Sequence, residues 1–371
     1  MKSFKIQDIL LYPISLIFAV IVWVRNKFFD YKILKSREFD LPILAVGNLN
    51  VGGTGKTPHV EYLVNLLNTE FKVATLSRGY MRKTRGFLLA TVNSTSDQIG
   101  DEPCQIKHNF SEILVAVDSD RVRGIEKILQ MDNTINAIVL DDAFQHRYVT
   151  PGLNILLIDY NNSIFEDFIL PYGRLREFPA ARQRADIIIV TKCPENLKPI
   201  EQRVMGNQLK VFSSQRVYYT HMRYDHPVAV FPQIAPKIKN EDLKKSNLLV
   251  ISGIANEKPF LNHVQKLGNV AEQLAFADHH IYTVLEMHNL IEKFSAQSGE
   301  NKLIITTAKD AMKIKQFKEL DEEIKSAIYY IPVYVAFHEN DEKTFNLYLT
   351  NYVRNNRPDN TLYKSKNKKQ T

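Results

Sequence analysis

Asn50-Val51-Gly52-Gly53-Thr54-Gly55-Lys56-Thr57 follows the apolar run 41–46 and precedes a helix-like segment that begins at Pro58. A strand, a glycine-rich turn and a helix start place several backbone N–H groups around one point, where polyphosphate charge is stabilised. Residues 50–58 are therefore predicted to bind a nucleotide, with Lys56 reaching the terminal phosphates and Thr57 ligating Mg²⁺. Asn50 stands where the motif G-x-x-x-x-G-K-[ST] has its first glycine, and asparagine tolerates a left-handed backbone well.

A second motif lies at the distance expected for a metal site. Residues 135–140 form a buried-strand pattern that ends in Asp141-Asp142. Carboxylates at the C-terminal end of a strand beside a phosphate loop are where such enzymes hold Mg²⁺. Alone, an Asp-Asp pair after a strand is more often a helix cap or a turn, so the preceding phosphate loop is what favours the metal role.

Continuous apolar runs alternate with helix-like segments from Leu41 to about Phe212. This alternation is typical of a parallel sheet covered on both faces. We predict an α/β protein: a P-loop NTPase-like parallel sheet with helices on both faces, a smaller C-terminal α/β lobe with a last strand in 329–335, and an N-terminal membrane-associated helix. The predicted units are 1–36 for that helix, 37–213 for the nucleotide-binding domain, 214–235 for a two-stranded connector, 236–355 for the smaller lobe and 356–371 for a basic disordered tail.

Composition narrows the possible functions. The chain has 371 residues, a formal net charge of +7 and two cysteines, Cys104 and Cys193, without C-x-x-C spacing. This spacing disfavours a zinc site and a disulfide framework and fits a reducing cytosol. The positive charge is partly concentrated in the C-terminal tail. A run of this kind is usually solvated, and contact with anionic lipid is the alternative. We expect a monomer with no nucleic-acid partner.

The N-terminus contains an uncharged apolar run. Residues 9–24 carry no charge, while Lys2 and Lys5 precede them and Arg25 and Lys27 follow. Sixteen helical residues span roughly 24 Å, less than the roughly 30 Å hydrocarbon core, and Pro13 is expected to interrupt the helix near its start. We predict a monotopic anchor at the membrane surface. A buried core helix remains an alternative, whereas a secretory signal is disfavoured because no small-x-small cleavage site follows.

Several polar clusters follow predicted strands or lie in loops, where the ligands of open α/β sheets bind. Each cluster is a weak signal alone, because an exposed Arg or Asp is usually solvated surface. Together they supply the cations, carboxylates and base that phosphoryl transfer needs. The clusters are 77–80, 100–103, 120–123, 142–146, 170–177 and 276–282.

These motifs, with the N-terminal anchor, 252–256 and Lys309-Asp310-Ala311, resemble the tetraacyldisaccharide 4'-kinase family over nearly the whole chain. Ala143 and Ala308 depart from that family's pattern, which usually has glycine and glutamate there. The resemblance implies a phosphotransferase acting on an alcohol acceptor: it would use ATP and Mg²⁺ to phosphorylate the 4'-hydroxyl of a tetraacyldisaccharide 1-phosphate, an acylated glucosamine disaccharide of lipid A biosynthesis. It further implies a location at the cytoplasmic face of the bacterial inner membrane.

The resemblance also implies roles for individual residues. Asp101, paired with His279 from the second lobe, would take the proton from the sugar hydroxyl, and Lys56 would handle the phosphates. Glu102 would complete the metal site of Thr57, Asp141 and Asp142. Spacing leaves open whether His279 or His280 faces the site. Substrate or phosphate contacts are implied for Arg78, Tyr80, Arg121, Arg123, His146, Arg176 and Glu177.

A competing hypothesis is a membrane-associated nucleotide switch that delivers a partner or a metal. Deviant Walker ATPases of that kind carry a signature lysine directly before the double glycine, where this chain has Val51. A GTPase is also conceivable, because 190–194 ends a late strand where a guanine-reading Asn-Lys-x-Asp would lie. Pro194 occupies the position of the required aspartate, so guanine selectivity is not supported.

Overall fold

The computed structural model describes residues 6–299, 301–317, 319–338 and 341–357. The strands are β1 (Ile43–Asn48), β2 (Val73–Ser77), β3 (Leu88–Leu89), β4 (Leu114–Val117), β5 (Ala137–Leu140), β6 (Leu153–Asp159), β7 (Ile187–Thr191), β8 (Arg216–Tyr224), β9 (Val228–Ala229), β10 (Asn247–Ser252), β11 (Asn269–Ala275), β12 (Lys302–Thr307), β13 (Ile328–Ile331) and β14 (Val333–Phe337).

The helices are α1 (Ile6–Asp30), α2 (Lys56–Leu67), α3 (Ser96–Ile99), α4 (Asp101–Asn109), α5 (Arg121–Met131), α6 (Pro199–Leu209), α7 (Asn240–Lys245), α8 (Lys258–Leu267), α9 (Val284–Ala296), α10 (Ala308–Ile314), α11 (Glu322–Ala327) and α12 (Asp341–Asn356), and a 3₁₀ helix spans Pro179–Arg184.

The larger lobe is built on a nine-stranded sheet in the order β14-β8-β7-β6-β1-β5-β2-β4-β3. Its strands run parallel except at the two edges, where β14 and β3 are antiparallel to their neighbours. β1 is buried at every position, because α2, α4 and α12 cover one face of the sheet and α5, α6 and α1 pack on the other. The predicted parallel sheet with helices on both faces is therefore confirmed.

The smaller lobe contains a five-stranded sheet in the order β11-β10-β12-β13-β9, parallel except for β9. The chain passes between the lobes twice, after β8 and after β13, and Asp225 N donates to the Pro332 carbonyl at 3.0 Å where the two passages meet. The predicted strand 329–335 is divided at Pro332 into two strands of different sheets. Proline lacks the N–H that would continue the ladder, which explains the break.

Two segments join sheets other than the ones predicted from the sequence. The stretch 214–235, predicted as a two-stranded connector, gives β8 to the larger sheet and β9 to the smaller one. The end of the predicted lobe 236–355 returns to the larger sheet, because α12 buries Phe345, Leu349 and Val353 in the same core as α2. Most of the predicted basic tail, 356–371, lies outside the described residues.

α1 lies against the larger lobe, held near its middle and near its C-terminal end. Ser15 donates to the Ile169 carbonyl at 2.6 Å, and Asn26 donates to Glu177 at 2.7 Å. The helix continues through Pro13, contrary to the sequence-based expectation, and 25 residues give it a length of about 37 Å. A proline within a helix can kink it without ending it.

Candidate active site

The phosphate loop lies between β1 and α2, at the centre of the larger sheet. Gly52 and Gly55 have φ values of 110° and 84°, which glycine adopts without the steric cost of a side chain, and Gly55 is the N-cap of α2. Asn50 does not use the left-handed backbone suggested from the sequence. It pairs with Leu175 in an isolated β-bridge, so the extended chain of β1 continues into the loop.

Side chains and backbone from three other segments brace this loop. Asn48 donates to the Thr54 hydroxyl at 2.9 Å, and the Thr191 hydroxyl donates to the Thr54 carbonyl at 2.9 Å. Lys192 donates to the Gly53 carbonyl, and Val51 N donates to the Arg174 carbonyl at 2.7 Å. The loop is thus held in its curved form by β1, by the end of β7 and by the 168–177 loop.

Two cations converge on Asp142 beside the start of α2. Lys56 Nζ lies 3.5 Å and Arg176 Nη1 lies 2.7 Å from Asp142 Oδ1. Burial alone would raise the pKa of Asp142, but these two cations outweigh it and lower the pKa. Asp142 has a φ of 49°, and a non-glycine residue in that left-handed region is strained, a feature that clusters at functional sites.

Asp141 is buried, and its Oδ1 has no hydrogen-bond partner. Burial, and then the negative charge of Asp142, raises its pKa to about 7. The negative charge of Glu102 also raises this pKa. A bound cation would compensate this buried oxygen, and oxygen donors are what Mg²⁺ prefers. Among the residues that the structure describes, no three His, Cys, Asp or Glu side chains already form a metal cluster.

The predicted base lies between the lobes. Asp101 is in the first turn of α4 and His279 follows β11, and the His279 Nδ1 to Asp101 Oδ2 distance is 3.3 Å. Burial would raise the pKa of Asp101, but the hydrogen bond with His279 and the positive charge of Lys313 outweigh it and lower the pKa to about 2. Asp101 is therefore ionised at neutral pH and can accept a hydrogen bond from a hydroxyl group.

The structure also distinguishes the two adjacent histidines. His279, with a φ of 60°, faces Asp101, and the ring of Tyr80 meets its imidazole edge-on at 5.1 Å. His280 points elsewhere, because its ring stacks on Phe276 at 4.5 Å and its Nε2 lies 3.0 Å from both Glu286 carboxylate oxygens. Of the two residues, His279 is the one placed beside the candidate site.

Three of the predicted substrate contacts are engaged with the protein itself. Arg121 is buried and donates to the carbonyls of Asp118 and Asp141, at 2.6 and 3.3 Å. Arg123 donates two hydrogen bonds to the Asp118 carboxylate in a bidentate pair, at 2.6 and 2.8 Å. Glu177 is buried between Arg184 and α1. Their effect on a substrate would therefore pass through the loops that they hold.

Arg176 is paired with Asp142, which leaves Arg78, Tyr80 and His146 as the remaining candidates. Arg78 and Tyr80 are exposed after β2. His146 Nε2 is buried without a hydrogen-bond partner, and burial followed by the charge of Arg121 lowers the His146 pKa to about 4. A neutral imidazole at physiological pH can still donate or accept one hydrogen bond at that nitrogen.

Sequence reasoning missed Lys313, whose Nζ lies 2.9 Å from Asp101 Oδ2. Lys309, one helical turn earlier on α10, lies 3.0 Å from Asp278 and 3.8 Å from Glu102. The i, i+4 spacing of the two lysines places them on one face of a helix, which was the available signal. The motif around Lys309 drew attention to α10 but not to its second lysine.

Comparisons with known proteins agree over nearly the whole chain. The family model described as Tetraacyldisaccharide-1-P 4'-kinase matches residues 7–354. A tetraacyldisaccharide 4'-kinase of Bacteroides thetaiotaomicron is 41% identical over 369 residues and 97% of each chain, and one of Flavobacterium johnsoniae is 40% identical over 94% of this chain and 97% of its own. A crystal structure of LpxK from Aquifex aeolicus in complex with ATP is similar with a TM-score of 0.72 at 26% identity, covering 93% of this chain and 99% of that one.

Proposed function

This chain belongs to the tetraacyldisaccharide-1-P 4'-kinase family, and on that premise we propose how its residues carry out the reaction. The enzyme transfers the terminal phosphoryl group of ATP to the 4'-hydroxyl of a tetraacyldisaccharide 1-phosphate in lipid A biosynthesis. Family membership does not favour the nucleotide-switch alternative.

The ATP phosphates lie against the loop 50–57 and the N-terminus of α2. Lys56 and Arg176 then exchange the Asp142 carboxylate, which they contact in the structure, for phosphate oxygens. The two cations balance the charge that spreads over the transferred phosphoryl group in the transition state. Asp142 keeps both side chains oriented toward one point before ATP binds.

The 4'-hydroxyl oxygen attacks the γ-phosphorus while the bond from that phosphorus to the bridging oxygen of ADP breaks. Asp101 and His279 act together to accept the hydroxyl proton, because they lie 3.3 Å apart and come from different lobes. A base contributed by both lobes is complete only while the lobes are in contact, as they are in this structure. Such an arrangement limits hydrolysis of ATP by water.

Mg²⁺ fits the donor set of this site. Asp141 offers a buried oxygen without a partner, and Thr57, Glu102 and Asp142 are the further oxygen donors that would have to draw in around the ion, because they do not form a cluster with Asp141 in the described residues. The ion, when bound, neutralises charge on the phosphate oxygens.

The exposed face of α1 is apolar, and we assign it to the cytoplasmic surface of the inner membrane. α1 is the one described helix long and apolar enough to cross a bilayer, yet it rests on the larger lobe through Ser15 and Asn26. The buried side of α1 carries Ser15, Ala19 and Phe29, whereas the large side chains of Leu10, Ile17 and Trp23 are exposed. A helix that packs along one side and exposes apolar residues on the other fits a monotopic anchor.

The observation that carries this proposal is that a chain of this family holds both the Lys56–Asp142 pair at the phosphate loop and the Asp101–His279 pair at the lobe contact. The test is incubation with ATP, Mg²⁺ and a detergent-dispersed tetraacyldisaccharide 1-phosphate, followed by mass spectrometry. We expect one added phosphate and ADP formed in equal amount. An acceptor that already carries a 4'-phosphate is the matched control and should give neither. ADP release at the same rate with both acceptors would instead indicate a switch ATPase.

A further inference from the structure

Lys313 is a largely buried ammonium group at the contact between the lobes. It lies on α10, and only 10% of its side chain is exposed. Its Nζ is 2.9 Å from Asp101 Oδ2 in the larger lobe and 2.9 Å from the His280 carbonyl in the smaller lobe. One side chain therefore joins both halves of the proposed base.

The second of these contacts acts on the residue next to His279. His279 holds a left-handed backbone, which persists only where the surroundings enforce it. The His280 carbonyl is bound by Lys313, and the His280 ring is held by Phe276 and Glu286. Lys313 thus fixes the turn that presents His279 as well as the carboxylate that His279 meets.

The contacts on Asp101 have a common feature. Lys313 and His279 both approach Oδ2, so neither contact occupies Oδ1. A carboxylate held through one oxygen is fixed in rotation and retains the other oxygen for an acceptor hydroxyl. Lys309 makes the neighbouring contacts with Asp278 and Glu102, which keeps α10 against the first turn of α4.

We propose that Lys313 is a positioning residue of the kinase reaction: it aligns Asp101 with His279 across the lobe contact and does not touch either substrate. This inference rests on the proposed role of Asp101 and His279. A buried ion pair contributes little net stability on average, so its value here lies in orientation. A displacement of about 1 Å in such a group can lower a rate about a hundredfold.

The test compares Lys313→Met, Lys313→Arg and Lys315→Met in steady-state kinetics with detergent-dispersed acceptor. Lys315 is exposed at the end of the same helix and serves as the matched control. Lys313→Met should lower kcat about tenfold to a hundredfold and leave both KM values within about twofold, because orientation and not binding is lost. Lys313→Arg should recover most of the lost kcat, and Lys315→Met should match the parent enzyme.

A second arm repeats Lys313→Met in an Asp101→Ala background, where no carboxylate remains to be aligned. There it should have little further effect on kcat. A kcat within about threefold of the parent in Lys313→Met, or an undiminished loss in the Asp101→Ala background, overturns the role of Lys313. If Lys313→Met does not fold, Lys313→Gln is measured by the same criteria. Normal activity of Asp101→Ala alone would instead reject the proposed base.

Discussion

The phosphate loop and the lobe contact are built in different ways, although both belong to one candidate site. The phosphate loop is local: its residues are consecutive, they follow one strand, and the braces at Asn48 and Thr191 belong to the same sheet. The lobe contact joins Asp101 to His279, which are 178 positions apart and sit in different lobes. One region is formed by the larger lobe alone, and the other exists only where the two lobes meet.

This difference separates nucleotide binding from chemistry. The phosphate loop and the Lys56–Asp142 pair need no movement of the smaller lobe to be in place. The base depends on α10 and the 276–282 turn pressing on α4. We therefore expect ATP affinity to tolerate changes at the lobe contact, while phosphoryl transfer does not.

The largest effect is expected at the lobe contact. Asp101→Ala and His279→Ala should each lower kcat on the order of 10²–10⁴-fold, which is typical of general acid–base groups. Because the two act as a unit, the double variant should be little worse than the poorer single variant. ATP affinity, measured by calorimetry without acceptor, should stay near that of the parent enzyme.

Strictly multiplicative losses in the double variant would contradict the pair. Loss of ATP affinity in either single variant would show that the two regions are not separable. His280→Ala is the control for His279→Ala, because His280 faces Glu286 and not Asp101.

A somewhat smaller effect on phosphoryl transfer is expected in the phosphate loop, and there it should be accompanied by a loss of ATP affinity. Lys56→Ala removes a cation that balances phosphate charge, so transfer should fall on the order of 10²–10³-fold. Here ATP affinity should fall too, and the fold should survive because Lys56 is held only by Asp142 among its ion pairs in the described residues. Lys266→Ala, at an exposed position of α8, is the control. Near-normal turnover of Lys56→Ala would remove this lysine from the site.

The membrane anchor, like the phosphate loop, is part of the larger lobe, because α1 contacts loops of that lobe. Removing residues 1–24 leaves Arg25 and Asn26 with their partners Gln145 and Glu177. Activity on acceptor in bilayers should fall at least about tenfold more than activity on detergent-dispersed acceptor. Moving an acyl chain out of a bilayer costs roughly 0.8 kcal/mol per CH₂, so the enzyme has to reach its acceptor at the membrane surface. The truncated protein should also shift to the soluble fraction in sedimentation assays.

Two other results would decide against this anchor. Truncated protein that stays membrane-bound through high-salt and carbonate washing places the anchor elsewhere. Truncated protein that aggregates in the absence of lipid makes α1 a core helix, which was the alternative left open by the sequence.

The two regions also differ in how far the sequence predicts them. The phosphate loop and Asp141-Asp142 were found because motif residues adjoin a strand, and the structure places them at the ends of β1 and β5. The choice of His279 over His280 depends on a left-handed turn and on Glu286 in α9, which spacing does not encode. Likewise, an apolar run does not reveal which sheet it joins, so the division of 329–335 at Pro332 and the return of α12 to the larger lobe were not predicted.

The last expected effect is on stability and not on activity, and it separates two adjacent carboxylates. The pKa of Asp141 is raised from 3.8 to about 7, by burial first and by Asp142 second. The folded ligand-free protein then binds more protons than the unfolded chain between these values, so this group lowers stability as pH rises from about 4 to 7. Asp141→Asn removes that penalty, up to about 4 kcal/mol, and should raise the urea midpoint at pH 8 more than at pH 5.

Asp142 is the matched control for this prediction, because its pKa is lowered by Lys56 and Arg176, against the effect of burial. A carboxylate with a lowered pKa contributes stability above its unfolded pKa, so Asp142→Asn should lower the urea midpoint at pH 8. Comparing each variant with the parent at the same pH cancels the titration of other buried groups such as Glu61 and His59. Equal shifts of the Asp141→Asn midpoint at both pH values would contradict a buried, unpartnered charge at Asp141. That result would also remove the electrostatic reason for expecting a cation beside the phosphate loop.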